Sequence, residues 1–273
     1  MILDQMAGFG VLSTRQISKM FFEGVAKTTL LRRLRILEED NLIRRAIGLA
    51  EGELAWTLTT DGLKRIGSTL PPKYLNRNSL EHDILLNELR LSLNRIGLVE
   101  NWIAEHVLKA KRIGAKHNFD EPKAVPDGLL ATIIKNRAVS VAIELEIQPK
   151  SKIRYEKILQ RYYHMKTIFA VWYFVRSKSL GEMIFEMYEK ASSHRSIKPQ
   201  LIWSLVDDSI NDPYNMQLLH QPKPMLVRDV FQLRAQKSAH TVAQGMSRQA
   251  ILFSTHSPTV SVRDPDKNLP ART

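Results

Sequence analysis

The chain has 273 residues, 44% of them hydrophobic and 25% charged, and its 40 Lys and Arg against 28 Asp and Glu give a formal net charge of +12. That composition can bury a sizeable core and excludes wholesale disorder, low-complexity and collagen-like classes, while the basic excess points to a polyanion, most commonly nucleic acid. There is no cysteine, which removes disulfides, thiolate zinc sites and cysteine nucleophiles together and fits a reducing cytoplasm.

Ser13 suits the N-cap of a helix from Thr14 to Phe22, Gly24 breaks it, and Lys27 to Asp40 carries Leu30, Leu31, Leu34 and Leu37 on one helical stripe. Leu42 to Ala46 and Leu54 to Leu58 alternate as a two-stranded ribbon around Glu51-Gly52, and Thr59 to Gly62 opens a further short helix. This order resembles a winged helix-turn-helix. Opposite the leucines the second helix presents Thr28, Arg32 and Arg35, with Lys27 and Arg33 at its margins, and the ribbon adds Arg44 and Arg45. Those residues suit a major groove or phosphate; a polar outer face on a protein-docking module is the other reading. Ser68 to Lys73, with its paired prolines, reads as a linker, so the expected organisation is a DNA-binding domain over 1–70, a second domain over 75–235 and a flexible basic tail over 236–273.

In the second domain a helix from Ser79 to Arg95 is expected, then a strand-rich stretch to Gln148, a helix from Ser151 to Met165, and strands at Ile168 to Val175 and Leu201 to Val206, an α+β or α/β order. The apolar run at Ile168 to Val175 is the longest in the chain and is far below the ~20 residues of a membrane span. Neither membrane insertion nor a secretory leader is expected.

Val139, Val141, Ile143, Leu145 and Ile147 alternate with Ser140, Ala142, Glu144, Glu146 and Gln148, so a strand here sets both glutamates on one face. Leu129 to Ile134 is also strand-like and Lys135-Asn136-Arg137 supplies a turn, so an antiparallel hairpin brings Asp127 opposite Glu144 or Glu146. Clustered carboxylates repel unless a cation neutralises them, and Mg²⁺ or Mn²⁺ with a phosphodiester substrate meets that need. A solvated outer face of an antiparallel sheet is the plain alternative.

Pro126-Asp127 followed by Glu144-Leu145-Glu146 resembles the PD-(D/E)xK core of restriction-endonuclease-like enzymes, with Glu146 where that motif usually carries lysine. More closely, the winged helix, His82-Asp83, Pro126-Asp127-Gly128, Glu144-Leu145-Glu146, and Lys157 with Tyr162 resemble, over about residues 10 to 175, the replication-relaxation family of plasmid proteins, which includes MobC-type mobilisation relaxases. The resemblance implies a mixed-sheet nuclease-like domain and metal-dependent nicking of DNA at a plasmid transfer origin, with other mobilisation or replication proteins as further partners. Asp127, Glu144 and Glu146 would then hold Mg²⁺ or Mn²⁺.

His82 shares a stripe with Leu86, Leu89, Leu93 and Ile96 and faces the interior, as a core histidine or as a ligand to phosphate or water. Lys157, or second Lys150, would supply the positive charge missing at Glu146. The nucleophile is water or Tyr162. No His-x-His pair, P-loop or dinucleotide glycine fingerprint occurs. A non-enzymatic copy-control regulator and a restriction-type endonuclease are the rival classes.

Overall fold

The computed structural model describes residues 2–46, 49, 52–114, 125–163, 165, 167–192, 198–219, 223–231 and 233, with backbone alone for 112–114. The basic tail expected over 236–273 lies outside the described residues.

The N-terminal unit runs α1 (Ile2–Phe9), β1 (Leu12–Ser13), α2 (Thr14–Phe21), α3 (Lys27–Glu39), β2 (Ile43–Ala46), β3 (Ala55–Leu58) and α4 (Thr60–Arg65). Ser13 caps α2 in a reciprocal capping box with Gln16, satisfying two N–H groups that the first turn leaves without partners. The strands form an antiparallel sheet in the order β1-β3-β2. Leu30 and Leu34 of α3 close on Met6, Ile17, Ile43 and Trp56, so one leucine stripe of α3 makes its core contact and the rest of the helix faces out.

A proline-containing linker leads to α5 (Arg77–Arg95), β4 (Asn101–Ala104) and α6 (Glu105–Gly114). The stretch expected to be rich in strands therefore holds a helix, whose Glu105 and Lys109 pair one turn apart at 2.6 Å. β5 (Gly128–Ile134), β6 (Arg137–Glu146), α7 (Lys152–Tyr162), β7 (Ala170–Val175), α8 (Lys178–Ser192), β8 (Gln200–Leu205), α9 (Val206–Asn211), β9 (Gln217–Leu218), β10 (Met225–Leu226) and α10 (Val227–Val230) follow.

β4 to β8 make a five-stranded sheet in chain order. β4, β5 and β6 are antiparallel, whereas β6-β7 and β7-β8 are parallel through the crossover helices α7 and α8. The β5-β6 hairpin turns at Lys135 and Asn136, both with positive φ (48° and 61°), the backbone shape of a two-residue turn that follows the twist of its strands.

Parallel strands at the centre of a sheet are covered on both faces. Val141, Ile143 and Leu145 pack with α5, α9 and α10, while Ala142 packs with Tyr155, Leu159 and Tyr162 of α7 and Ile184 and Tyr188 of α8. α5 is covered on both sides as well: Leu86, Leu89 and Leu93 meet the sheet, and Leu80 and Leu91 meet the N-terminal unit. Among the described residues no helix is long and apolar enough to cross a membrane.

Candidate functional site

The carboxylates gather where the antiparallel and parallel halves of the sheet meet. Gly128 pairs with Ile143, so Asp127, one residue earlier, falls beside Glu144 and not Glu146. On the other side of β6, Glu144 pairs with Tyr173 and Glu146 with Val175. The backbone of Asp127 is fixed by Glu105 N–H donating to its carbonyl at 3.0 Å. Gly128 is required next to it because a Cβ there would fall 2.5 Å from the Trp102 ring of β4.

Glu144 and Glu146 do not lie on a solvated face. Glu146 is 4% exposed, and the even-numbered side of β6 that carries both is roofed by α7 and α8. Burial, the charge of Asp127 and the charge of Glu146 push the Glu144 carboxyl well above the usual range, against the Tyr162 hydroxyl that donates to Glu144 Oε1. Burial raises Glu146 too, against the opposing pull of Lys150, whose ammonium pairs with Glu146 Oε2.

Asp127 Oδ2 accepts from Leu145 N–H at 2.8 Å and lies 3.2 Å from His82 Nε2, which is also 3.0 Å from the Leu145 carbonyl. Burial by itself would lower the His82 pKa, but the Asp127 carboxylate, the Leu145 carbonyl and the charge of Asp83 outweigh it and raise it to about 9. His82 is thus cationic at neutral pH and faces the site, as its helical stripe indicates.

Three tyrosines line the site, Tyr155 and Tyr162 from α7 and Tyr173 from β7. Tyr162 donates to Glu144 from full burial. The Tyr155 hydroxyl accepts from Lys150 N–H at 3.1 Å, and burial, together with the Glu146 charge, pushes it to about 12. The Tyr173 hydroxyl is buried without a hydrogen-bond partner, and its pKa is raised well above normal by burial and by the charges of Glu144, Glu146 and Asp127. An orphaned phenol among carboxylates is a place for a ligand, because an unmade buried hydrogen bond is destabilising.

Lys157 stands on the exposed face of α7 and makes no ion pair among the described residues, so Lys150 is the lysine at the carboxylates. Tyr173 escapes a motif reading. The signal for Tyr173 is its register: it becomes a neighbour of Glu144 only once β7 is paired parallel to β6. His82 and Asp83 divide between two surfaces, His82 toward the sheet and Asp83 toward linker Lys73 at 2.9 Å. Among the described residues no three His, Asp or Glu side chains are arranged to enclose a metal ion.

On the N-terminal unit Lys27, Thr28, Arg32, Arg33 and Arg35 are all exposed along α3. Arg45 is held by Glu38 at 2.5 Å and lies 5.6 Å from the Trp56 ring centre, and Arg44 reaches the Lys73 carbonyl at 3.3 Å. Among the described residues the Lys27, Arg32, Arg33 and Arg35 side chains make no ion pair, whereas the two ribbon arginines are tied to the protein. Comparison of the chain with protein-family models, with curated proteins and with solved structures finds no match.

Proposed function

We propose that this chain is a DNA-nicking phosphodiesterase of the plasmid-mobilisation type, in which a winged helix-turn-helix reads a duplex site through α3 and a PD-(D/E)xK-like sheet cuts one strand with a divalent cation. The observation that carries this reading is a buried Glu146 and a half-buried Glu144 on a central strand, beside Asp127 and the orphaned Tyr173 hydroxyl. Burying repelling carboxylates in a core works against folding, and a bound cation relieves it.

The donor set fits a hard ion. Mg²⁺ takes oxygen ligands and commonly uses only one or two carboxylates, completing its shell with water and substrate phosphate, so an enclosing group of three is not required. Asp127 and Glu144, set side by side by the register, would hold Mg²⁺ or Mn²⁺, with Glu146 beside them paired to Lys150; when bound, the ion would polarise a phosphoryl oxygen and acidify a coordinated water.

The chain's own residues do the rest. His82 and Leu145 N–H hold the Asp127 carboxylate in place, and Tyr162 orients Glu144. Lys150, at the partly exposed rim, takes the place of the motif lysine and meets negative charge at phosphorus. Tyr162 is 0% exposed and committed to Glu144, so the attacking group in this reading is water and the product is not linked to protein.

Nicking of supercoiled plasmid carrying the recognised site tests the proposal. Divalent-dependent nicking should leave free ends with no covalent protein adduct, should vanish in Asp127→Asn, and should fall further in Lys150→Ala than in Lys157→Ala. Full activity in Glu144→Gln would remove the carboxylates from the mechanism. Arg32→Ala with Arg35→Ala should weaken DNA binding and lower its salt slope by roughly one per residue, whereas Arg45→Ala should do less because Glu38 already neutralises it.

A second reading, a DNA-binding regulator without catalysis, is favoured by one feature: Lys150, Tyr162 and His82 already engage all three carboxylates. It predicts binding with neither nicking nor stabilisation by Mg²⁺.

A further inference from the structure

The last turn of a helix leaves carbonyls without intrahelical partners. In α1 those carbonyls are filled by side chains from the sheet-bearing part of the molecule. His106 Nε2 lies 2.8 Å from the Ala7 carbonyl, Arg90 Nη1 donates to Gly8 at 2.9 Å, and Asn87 Nδ2 donates to Val11 and, at 3.4 Å, to Phe9. In the opposite direction Gln16 Nε2 of α2 donates to the Ile84 carbonyl of α5 at 2.8 Å.

Arg90 is the unusual member. It is 7% exposed, and burial alone lowers its pKa to about 9. Its guanidinium lies 3.8 Å from the Phe9 ring centre and 5.9 Å from that of Trp102. It sits at the negative end of the α1 dipole, where a cation is favoured. His106 is held near pKa 4 by burial and by the charges of Lys73 and Arg90, against the pull of the Ala7 carbonyl, so it is a neutral donor at physiological pH. On its far side Arg90 meets Trp102, the ring that packs on Gly128 next to Asp127. One buried cation therefore touches both the end of α1 and the strand that positions the site.

We propose that Arg90, His106 and Asn87 lock α3 and the carboxylates at one distance and angle, so that the strand is cut at a set offset from the sequence that α3 reads. The offset rests on the nuclease reading above; the lock itself does not. Contacts that satisfy buried backbone carbonyls are directional, and a second arrangement of the two parts would leave those carbonyls and the guanidinium unpaired. A tether through the linker alone would let the cut wander.

Two measurements on the full chain test this. The protein has no cysteine, so spin labels at Glu39→Cys on α3 and Glu182→Cys on α8 report one distance. The labelled protein with all three lock residues present should give one sharp distance, and Arg90→Met or His106→Phe should broaden it about twofold or more, as a hinge is freed. Asn87→Ala supplies the same readout if Arg90→Met fails to fold. Leu30→Ala, which weakens the N-terminal core from within α3, should leave the distance sharp. On a duplex selected from a random pool by the protein itself, the unaltered chain should nick one bond and Arg90→Met several neighbouring bonds at unchanged affinity. A broad distance in the protein with its lock residues intact, or a distance and nick position unmoved in Arg90→Met and His106→Phe, would overturn the lock. A sharp distance that broadens in the variants, with no nicking of any duplex, would count against the nuclease reading instead.

Discussion

At the scale of single residues the site is a set of charges held out of water, and its pH behaviour follows. The Glu144 carboxyl is raised in the folded protein by burial and by Asp127. Above the ordinary glutamate range the native state therefore keeps a proton that the unfolded chain releases, and stability falls as pH rises through that window. Glu144→Gln keeps an acceptor for the Tyr162 hydroxyl and removes the ionisation. It should raise the stability of the metal-free protein by about 1–2 kcal/mol at neutral pH and flatten the decline, as urea denaturation across a pH series would show. Mg²⁺ should stabilise the unaltered protein by mass action and leave the variant nearly unmoved; an identical response in both would contradict the assignment.

His82 acts with the opposite charge and the same sense of pH. Its folded pKa of about 9 lies above its ordinary 6.5, so the stabilisation is complete below 6.5 and disappears as pH climbs through 9. His82→Gln should lose about 1–3 kcal/mol near pH 6 and almost nothing near pH 10. A loss independent of pH would mean that the ring matters for packing and not for its charge beside Asp127.

Elements position these residues more firmly than their own side chains do. Asp127 sits on a short lead-in to β5, held by Glu105 N–H and by the fit of Gly128 under Trp102. Gly128→Ala should force ring or strand to shift, lowering stability by about 1–3 kcal/mol, and under the proposed nuclease function it should reduce nicking beyond what the stability loss explains, since the adjacent carboxylate moves. Unchanged melting and activity would show that Trp102 swings aside freely. The hairpin was legible in the sequence, from alternation, turn residues and a short loop, but it left Asp127 opposite Glu144 or Glu146, and only the pairing of Gly128 with Ile143 decided for Glu144. α6 was not legible: it is tied in place by its packing on β4 and by the His106 contact with the Ala7 carbonyl, neither of which a local period shows.

At the scale of the whole molecule the N-terminal unit and the sheet share α5. Leu80, Asn87, Arg90 and Leu91 face one side and Leu86, Leu89 and Leu93 the other. Removing residues 1–70 would uncover apolar side chains, an unpaired guanidinium and His106 together. The remainder should therefore show a lowered melting temperature and concentration-dependent aggregation, visible by calorimetry and light scattering. A monomeric remainder that melts like the full chain would show that α5 needs only the sheet.

The sequence by itself determined the order of most elements, the exposed cations of α3, the interior direction of His82 and the meeting of Asp127 with a glutamate, because each follows from a short-range period or a tight turn. Only the tertiary structure decided that Glu146 is buried and Glu144 half-buried, since that depends on the parallel pairing of β6 with β7 and the roof of α7 and α8, which lie further along the chain. It likewise decided that Lys150, and not Lys157, reaches the carboxylates, that Glu38 engages Arg45, and that Arg90 caps α1 across some eighty residues of chain. Periodicity tells which face of an element is apolar; it does not tell what will come to cover it.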